Sequence, residues 1–103
     1  MISLLSNERE CYRCHTTLNL HKHHIYAGGL RGKSDRYGCW VYLCQDCHIG
    51  SRGVHSTKNG MIYWNQLKEE CQKAFEEKYG HEKFMEEFQR NWIRSNDEST
   101  RDI

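Results

Sequence analysis

Four cysteines in two short motifs constrain this chain more than any other feature. Cys11 and Cys14 form one Cys-x-x-Cys pair, Cys44 and Cys47 form a second, and 29 residues separate the pairs. A two-residue gap lets both thiolates of a pair reach one tetrahedral ion, and two pairs complete a shell of four sulfurs. The spacing predicts a structural Zn2+ site; the alternative is two redox motifs or incidental cysteine pairs.

Length and composition agree with a metal-stapled domain. The chain has 103 residues, of which 37% are hydrophobic and 28% charged, so we expect one small domain whose core needs a staple. The first residues lack the features of a signal peptide, and no stretch reaches the roughly 20 apolar residues of a membrane span. Thiols of a protein that is not exported stay reduced, so we expect a cytoplasmic protein with cysteines as metal ligands.

Positive charge is concentrated in the first part of the chain. Residues 1–60 carry eight Lys or Arg against four Asp or Glu, whereas residues 61–103 carry seven against ten. Six of the seven histidines also lie in residues 1–60. A polyanionic partner is therefore expected to bind the N-terminal part.

Two short stretches have strand-like patterns and favour a hairpin. In LHKHHIY, alternation places His21 and His23 on one face and His24 on the other. The stretch CWVYLC is rich in β-branched and aromatic residues and predicts the second strand. The four glycines of residues 28–38 predict a flexible loop between the strands.

Helical patterns dominate the rest of the chain. A short helix is expected after Cys44, and the glycines that follow argue against its running far. A long apolar stripe that includes Trp64 predicts a helix ending at Gly80, and a second helix is expected through Trp92. The remaining cysteines, Cys39 and Cys71, are expected to be core residues.

Five histidines lie in segments that the predicted zinc site gathers. They are His21, His23, His24, His48 and His55. The plain alternative is a basic, pH-sensitive surface patch, which we would favour for an isolated histidine. Five imidazoles in one scaffolded region instead favour a functional site.

These motifs resemble the HNH endonucleases of the ββα-metal (His-Me finger) kind, in their zinc-stapled form. The resemblance is carried by CYRC, HKHHIYAGG, LCQDCH and VH, and it covers the chain from about Cys11 to Trp92. The further run LKEECQKAFEEKYGHEKFMEEF is similar to small HNH-type proteins of phages and prophages. The resemblance implies an α+β fold with a small ββα-metal core stapled by the four-cysteine zinc site, followed by two C-terminal helices.

The domain organisation follows from the chain length, the helical patterns and the resemblance together. A single domain is expected over residues 1–95, with the zinc knuckles and ββα core at about 8–58 and a helical extension at about 61–94. Residues 96–103 are expected to form a flexible tail.

The resemblance also implies roles for three of these histidines. His24 matches the general base that activates water, and His23 and His48 match ligands of a catalytic divalent metal, Mg2+ or else Mn2+, Ni2+ or Zn2+. The positions of the other two suggest further roles: His55 is expected to be a third ligand or a phosphate contact, and His21, on the strand face of His23, a supporting neighbour. A continuous helix would separate His48 from His55 by about 10 Å, so a shared ion requires the chain to turn back at the intervening glycines.

One family feature is missing from this chain. The middle asparagine, which tethers the loop around the base, is absent from RYGCWVYLC, where Cys39 lies near its expected place. The tether must come from the backbone or another side chain, or activity is weakened.

Basic residues beside the histidines are candidates for DNA contacts. Arg31, Lys33, Arg36 and Arg52 would position a phosphate backbone without reading its sequence, and the alternative is an ordinary solvated loop. The leading hypothesis is a DNA endonuclease of a phage or prophage that works in the bacterial host cytoplasm, with an unidentified phage protein as a possible partner. The alternatives are a non-catalytic zinc-stabilised DNA-binding module in phage recombination or packaging, and a protein-binding zinc domain.

Overall fold

The computed structural model describes residues 3–93. Over these residues the chain is a small α+β fold with a two-stranded antiparallel sheet and four α-helices. The elements in chain order are β1 (Leu20–His24), α1 (Arg31–Tyr37), β2 (Trp40–Cys44), α2 (Gln45–Ile49), α3 (Lys58–Tyr79) and α4 (His81–Phe88). None of these helices has the length and apolarity needed to cross a membrane. The expected tail at residues 96–103 lies outside the described residues.

The sheet separates the histidines of β1 onto two faces. His21 pairs with Leu43 and His23 pairs with Val41, and both partners are buried in the core. His24 lies on the opposite face, where it pairs with Trp40. The predicted hairpin and the predicted alternation of its histidines are therefore confirmed.

The segment between the strands is not the flexible loop that its glycines predicted. It contains a single 3-10 turn at Gly28–Leu30 and then α1. The buried Ser34 hydroxyl donates to the Tyr26 carbonyl at 2.7 Å and accepts from the Tyr26 amide at 3.1 Å. Gly38, at φ 75°, ends the helix in the left-handed conformation. The prediction was wrong because glycine content reflects only local backbone flexibility. The helix is instead held by tertiary contacts between Ser34 and Tyr26.

The two C-terminal helices close an aromatic core. Phe75 of α3 and Phe84 and Phe88 of α4 are each at most 2% exposed, and the ring of Tyr26 packs against those of Phe84 and Phe88. Gly80 follows α3 as predicted. Cys39 and Cys71 are fully buried, which confirms them as core residues.

The last helix is shorter than predicted. It ends at Phe88, and Gln89 follows in the left-handed conformation at φ 61°. The buried Gln72 of α3 then accepts from the backbone amides of Trp92 at 2.7 Å and Ile93 at 3.2 Å. Because these amides bind a side chain of α3, the chain leaves the helix before Trp92.

Candidate functional site

The two cysteine pairs form one four-sulfur cluster. The Sγ atoms of Cys11, Cys14, Cys44 and Cys47 all lie within 4.8 Å of one another. Cys14 Sγ and Cys44 Sγ, which belong to different pairs, are 3.7 Å apart. A tetrahedral Zn2+ with bonds of about 2.3 Å separates its sulfur ligands by about 3.8 Å. The cluster can therefore hold a structural metal, and its spacing suits zinc.

The backbone supports negative charge on these sulfurs. Cys14 N donates to Cys11 Sγ at 3.4 Å, and Cys47 N donates to Cys44 Sγ at 3.5 Å. Burial by itself would raise the pKa of Cys11, but hydrogen bonds from surrounding backbone amides lower it to about 6. Thiolates are the form that binds metal, so these amides prepare Cys11 as a ligand. Burial and hydrogen bonds from neighbouring thiols instead raise the pKa of Cys47, and the pKa of Cys14 is also raised.

The chain turns back after α2 and brings His55 beside His48. Val54 N donates to Cys47 O at 3.0 Å, and His55 N donates to His48 O at 3.1 Å. The turn is tight, because a Cβ atom on Gly53 would lie 2.8 Å from His48 O. The return that a shared ion requires is therefore present in the structure.

Three imidazoles meet where the chain turns back after α2. The nearest ring nitrogens of His23, His48 and His55 lie within 4.8 Å of one another. One ion with bonds of about 2 Å spans ligand atoms up to about 4 Å apart, so shifts of less than about 1 Å would close the site. The site opens to solvent on one side, because His23 is buried, His48 half-buried and His55 exposed.

Burial lowers the pKa of all three imidazoles. Desolvation, followed by the proximity of His48 and His55, lowers the pKa of His23 to about 3. Burial, followed by the proximity of His55 and His21, lowers the pKa of His48 to about 4. Burial also lowers the pKa of His55. His23 Nε2 is also buried with no hydrogen-bond partner among the described residues. Neutral rings with free lone pairs fit the donor set of a metal site.

A pocket of about 300 Å³ lies over this cluster. It is lined by Lys22, His23, His24, Ala27, Arg31, His48 and His55.

His24 borders the pocket from the other face of β1, with Nε2 at 3.4 Å from Asp35 Oδ1. Lys22 Nζ lies 2.5 Å from the same oxygen. The hydrogen bond from Lys22 lowers the pKa of the Asp35 carboxyl most, and the hydrogen bond from His24 lowers it further.

Three residues of this neighbourhood were missed in the sequence. Trp64, which the sequence pattern placed only in the apolar stripe of a helix, has its ring centroid 4.9 Å from that of His23 and 4.7 Å from that of His55. Lys22 could have been found, because strand alternation places it on the face of His24. Asp35 had no signal, because its approach depends on α1.

The segment after His24 is tied down without an asparagine. Ile25 N donates to the carbonyl of Cys39 at 2.9 Å, and Cys39 N donates to Ser34 O at 2.7 Å. The hydroxyl of Ser34 holds Tyr26 as described above. Backbone groups and one serine therefore hold the segment that follows His24.

The four candidate DNA contacts differ in position. Arg31 lines the pocket, and Arg36 is exposed in the last turn of α1. Lys33 Nζ instead donates to Glu87 O at 2.8 Å, and Arg52 Nε pairs with Asp46 Oδ2 at 2.9 Å. Of the four, the structure brings only Arg31 to the histidines.

His21 lies beside the histidine cluster and contacts one of its members. Its Nδ1 is 2.9 Å from Nδ1 of His48, so one of these nitrogens donates a proton and the other accepts it. A partner on one ring nitrogen orients the other nitrogen of a metal ligand. The supporting role expected for His21 is thus geometrically available.

Comparisons with protein-family models, with curated protein sequences and with solved structures return no match. The fold and the two clusters define an α+β protein with one cysteine site suited to a structural metal and one histidine site beside an open pocket. The resemblance to HNH endonucleases rests on the sequence motifs alone.

Proposed function

We propose that this protein is a metal-dependent HNH endonuclease that hydrolyses DNA phosphodiester bonds, by nicking or by cleavage. One observation carries the proposal: three imidazoles converge in a pocket that a fourth imidazole, His24, borders from the neighbouring strand position. Under this proposal β1, β2 and α2 are the ββα-metal core, since β1 carries His23 and His24 and α2 carries His48.

The donor set favours a transition metal in the histidine site. His23, His48 and His55 offer only nitrogen, which suits Zn2+, Ni2+ or Mn2+ better than Mg2+. When bound, such an ion supplies positive charge for the phosphate and the leaving oxygen. The four cysteines would hold the separate structural Zn2+.

His24 is the proposed general base. An imidazole exchanges protons near neutral pH, and His24 stands at the pocket without being one of the three converging ligands. It would remove a proton from the water that attacks phosphorus. The HNH resemblance implies products with 5′-phosphate and 3′-hydroxyl ends.

Two cations at the pocket suit a phosphate backbone. Lys22 and Arg31 both line it, and the first 60 residues carry the excess of basic side chains. Such contacts position nucleic acid but do not read its sequence. We propose a phage or prophage origin and action in the host cytoplasm, on the resemblance alone.

Plasmid nicking with a matched histidine control tests the proposal. The protein is treated with EDTA to remove exchangeable ions and assayed on supercoiled plasmid with Mg2+, Mn2+, Ni2+ or Zn2+. Wild type should nick with at least one ion, and His24→Ala should be slower by about a hundredfold or more. His81→Ala, which alters an exposed histidine at the start of α4, should match wild type.

Each other result selects an alternative. Wild type that nicks no faster than His24→Ala with every ion would contradict the enzyme proposal. Salt-dependent DNA binding without nicking would then support the non-catalytic zinc-stabilised DNA-binding module. The absence of both binding and nicking would support a protein-binding zinc domain.

A further inference from the structure

We propose that Asp35 is a positioning residue that fixes the tautomer and orientation of the His24 ring; this inference rests on the proposed function. Asp35 Oδ1 lies 3.4 Å from His24 Nε2. An ionised carboxylate only accepts hydrogen bonds, so this contact places the proton of a neutral ring on Nε2. The lone pair then resides on Nδ1, the nitrogen that would accept a proton from water under the proposed function.

The backbone holds Asp35 in this position. Its neighbour Ser34 is fully buried and makes two hydrogen bonds to the backbone of Tyr26, two residues after His24. The carbonyl of Ser34 accepts from Cys39 N at 2.7 Å. The hydroxyl and the carbonyl of Ser34 are therefore both bound to backbone close to His24. Because Asp35 is the next residue in α1, its position beside His24 is fixed by these contacts.

Lys22 supports the same contact from the other side. Its ammonium lies 2.5 Å from Asp35 Oδ1 and 4.5 Å from the centroid of the Trp40 ring. An ammonium only donates hydrogen bonds, so the shared oxygen stays an acceptor toward His24. The three side chains form a chain of contacts from Lys22 through Asp35 to His24.

The competing explanation is an ordinary surface ion pair. Asp35 and Lys22 side chains are 53% and 39% exposed, and pairs of this kind contribute little to stability. A distance of 3.4 Å is also long for a hydrogen bond, although catalytic hydrogen bonds are commonly long before substrate binds. The two explanations differ in what removal of Asp35 does to His24.

Nicking kinetics separate the two explanations. Asp35→Ala should lower kcat about ten- to a hundredfold, as loss of an orienting partner does, and change KM less than about twofold. Asp35→Asn should fall between wild type and Asp35→Ala, because Lys22 turns the amide oxygen toward itself and His24. Glu77→Gln, which removes an exposed charge on α3, should match wild type.

Nitrogen-15 NMR of the imidazole rings gives a readout that does not need activity. At about pH 8, where a free imidazole is neutral, His24 in wild type should show the Nε2-protonated tautomer. Asp35→Ala should show a mixture of tautomers, and Glu77→Gln should not. Zinc content and thermal midpoint verify that each variant is folded.

The outcomes are distinct for the inference and for the proposed function. An unchanged His24 tautomer in Asp35→Ala overturns the inference, and so does nicking by Asp35→Ala at the rate of Glu77→Gln. If wild type itself does not nick, the proposed function fails. A shifted tautomer in Asp35→Ala would in that case still confirm that Asp35 sets the tautomer of His24.

Discussion

His23 is a buried imidazole whose Nε2 lacks a hydrogen-bond partner within residues 3–93. A buried polar atom without a partner costs about 1–3 kcal/mol. The core around it offers Val41 and Trp64, so an apolar side chain would suit the position better. His23 therefore lowers the stability of a small core. Its presence is explained if it binds a metal ion there.

Replacing His23 with leucine should therefore separate stability from metal binding. In protein that holds only the structural zinc, His23→Leu should raise the free energy of unfolding by about 1 kcal/mol at pH 7, measured by urea denaturation. It should also abolish binding of Ni2+ to the second site, measured by calorimetric titration. His81→Leu should leave Ni2+ binding intact, and a destabilised His23→Leu that still binds Ni2+ would contradict this prediction.

The same variant should change the pH dependence of stability. The pKa of His23 is about 3 in the folded protein and about 6.5 in an unfolded chain. Between these values the unfolded chain binds more protons, so stability falls as pH drops below about 6.5. From pH 6.5 to 5.5 wild type should lose about 1 kcal/mol more than His23→Leu, whereas parallel losses in urea denaturation would contradict the prediction.

Sequence reasoning found the residues that local motifs mark and missed those that depend on packing. His23, His24 and His48 stand next to one another or next to a knuckle cysteine, so their proximity follows from a hairpin and one zinc site. His55 joins them through a turn that its glycines allow. Asp35 and Trp64 reach the site from α1 and α3, and nothing in the chain near them encodes that approach.

At the scale of elements, the start of α3 is locked to the loop that carries His55. The Thr57 hydroxyl accepts from Gly60 N at 2.8 Å and donates to Gly53 O at 3.0 Å. A Cβ atom on Gly60 would lie 1.9 Å from the same carbonyl oxygen. The helix can begin here only because Gly60 has no side chain.

A methyl group at Gly60 should therefore disturb both helix and site. Gly60→Ala should lower the free energy of unfolding by about 2 kcal/mol or more and weaken Ni2+ binding, because the loop with His55 must shift. Gly32→Ala in α1 is the matched control: its Cβ would meet nothing within 4 Å, so it should be neutral or more stable by about 0.5 kcal/mol. Equal free energies of unfolding for the two variants in urea would contradict this prediction, because they would show that the loop can shift without loss of stability.

The elements differ in how far local sequence determines them. β1, β2 and α3 follow their own patterns of side chains and caps, and these patterns sufficed. α1 depends on Ser34 reaching the backbone of Tyr26, and the end of α4 depends on Gln72 binding the amides near Trp92. Such contacts join distant parts of the chain, so no window of residues reveals them.

At the scale of the whole molecule, the two clusters share one short helix. Cys44 caps α2, Cys47 lies within it, and His48 follows directly. Binding of structural zinc typically contributes more than about 10 kcal/mol, comparable to the whole stability of a small domain. If the cysteines hold zinc, we therefore expect the cysteine site to place α2 and with it His48, and we expect loss of a histidine to leave the zinc site intact.

This hierarchy predicts unequal effects of losing either cluster. Cys47→Ser should lose zinc, unfold and no longer bind a second ion. His55→Ala should retain one zinc and the wild-type circular dichroism spectrum but lose Ni2+ binding, because an exposed ligand can be removed without disturbing the core. Metal analysis, circular dichroism and calorimetric titration of both variants measure these effects. A folded Cys47→Ser protein with wild-type Ni2+ affinity would show that the histidine site forms without the cysteine staple.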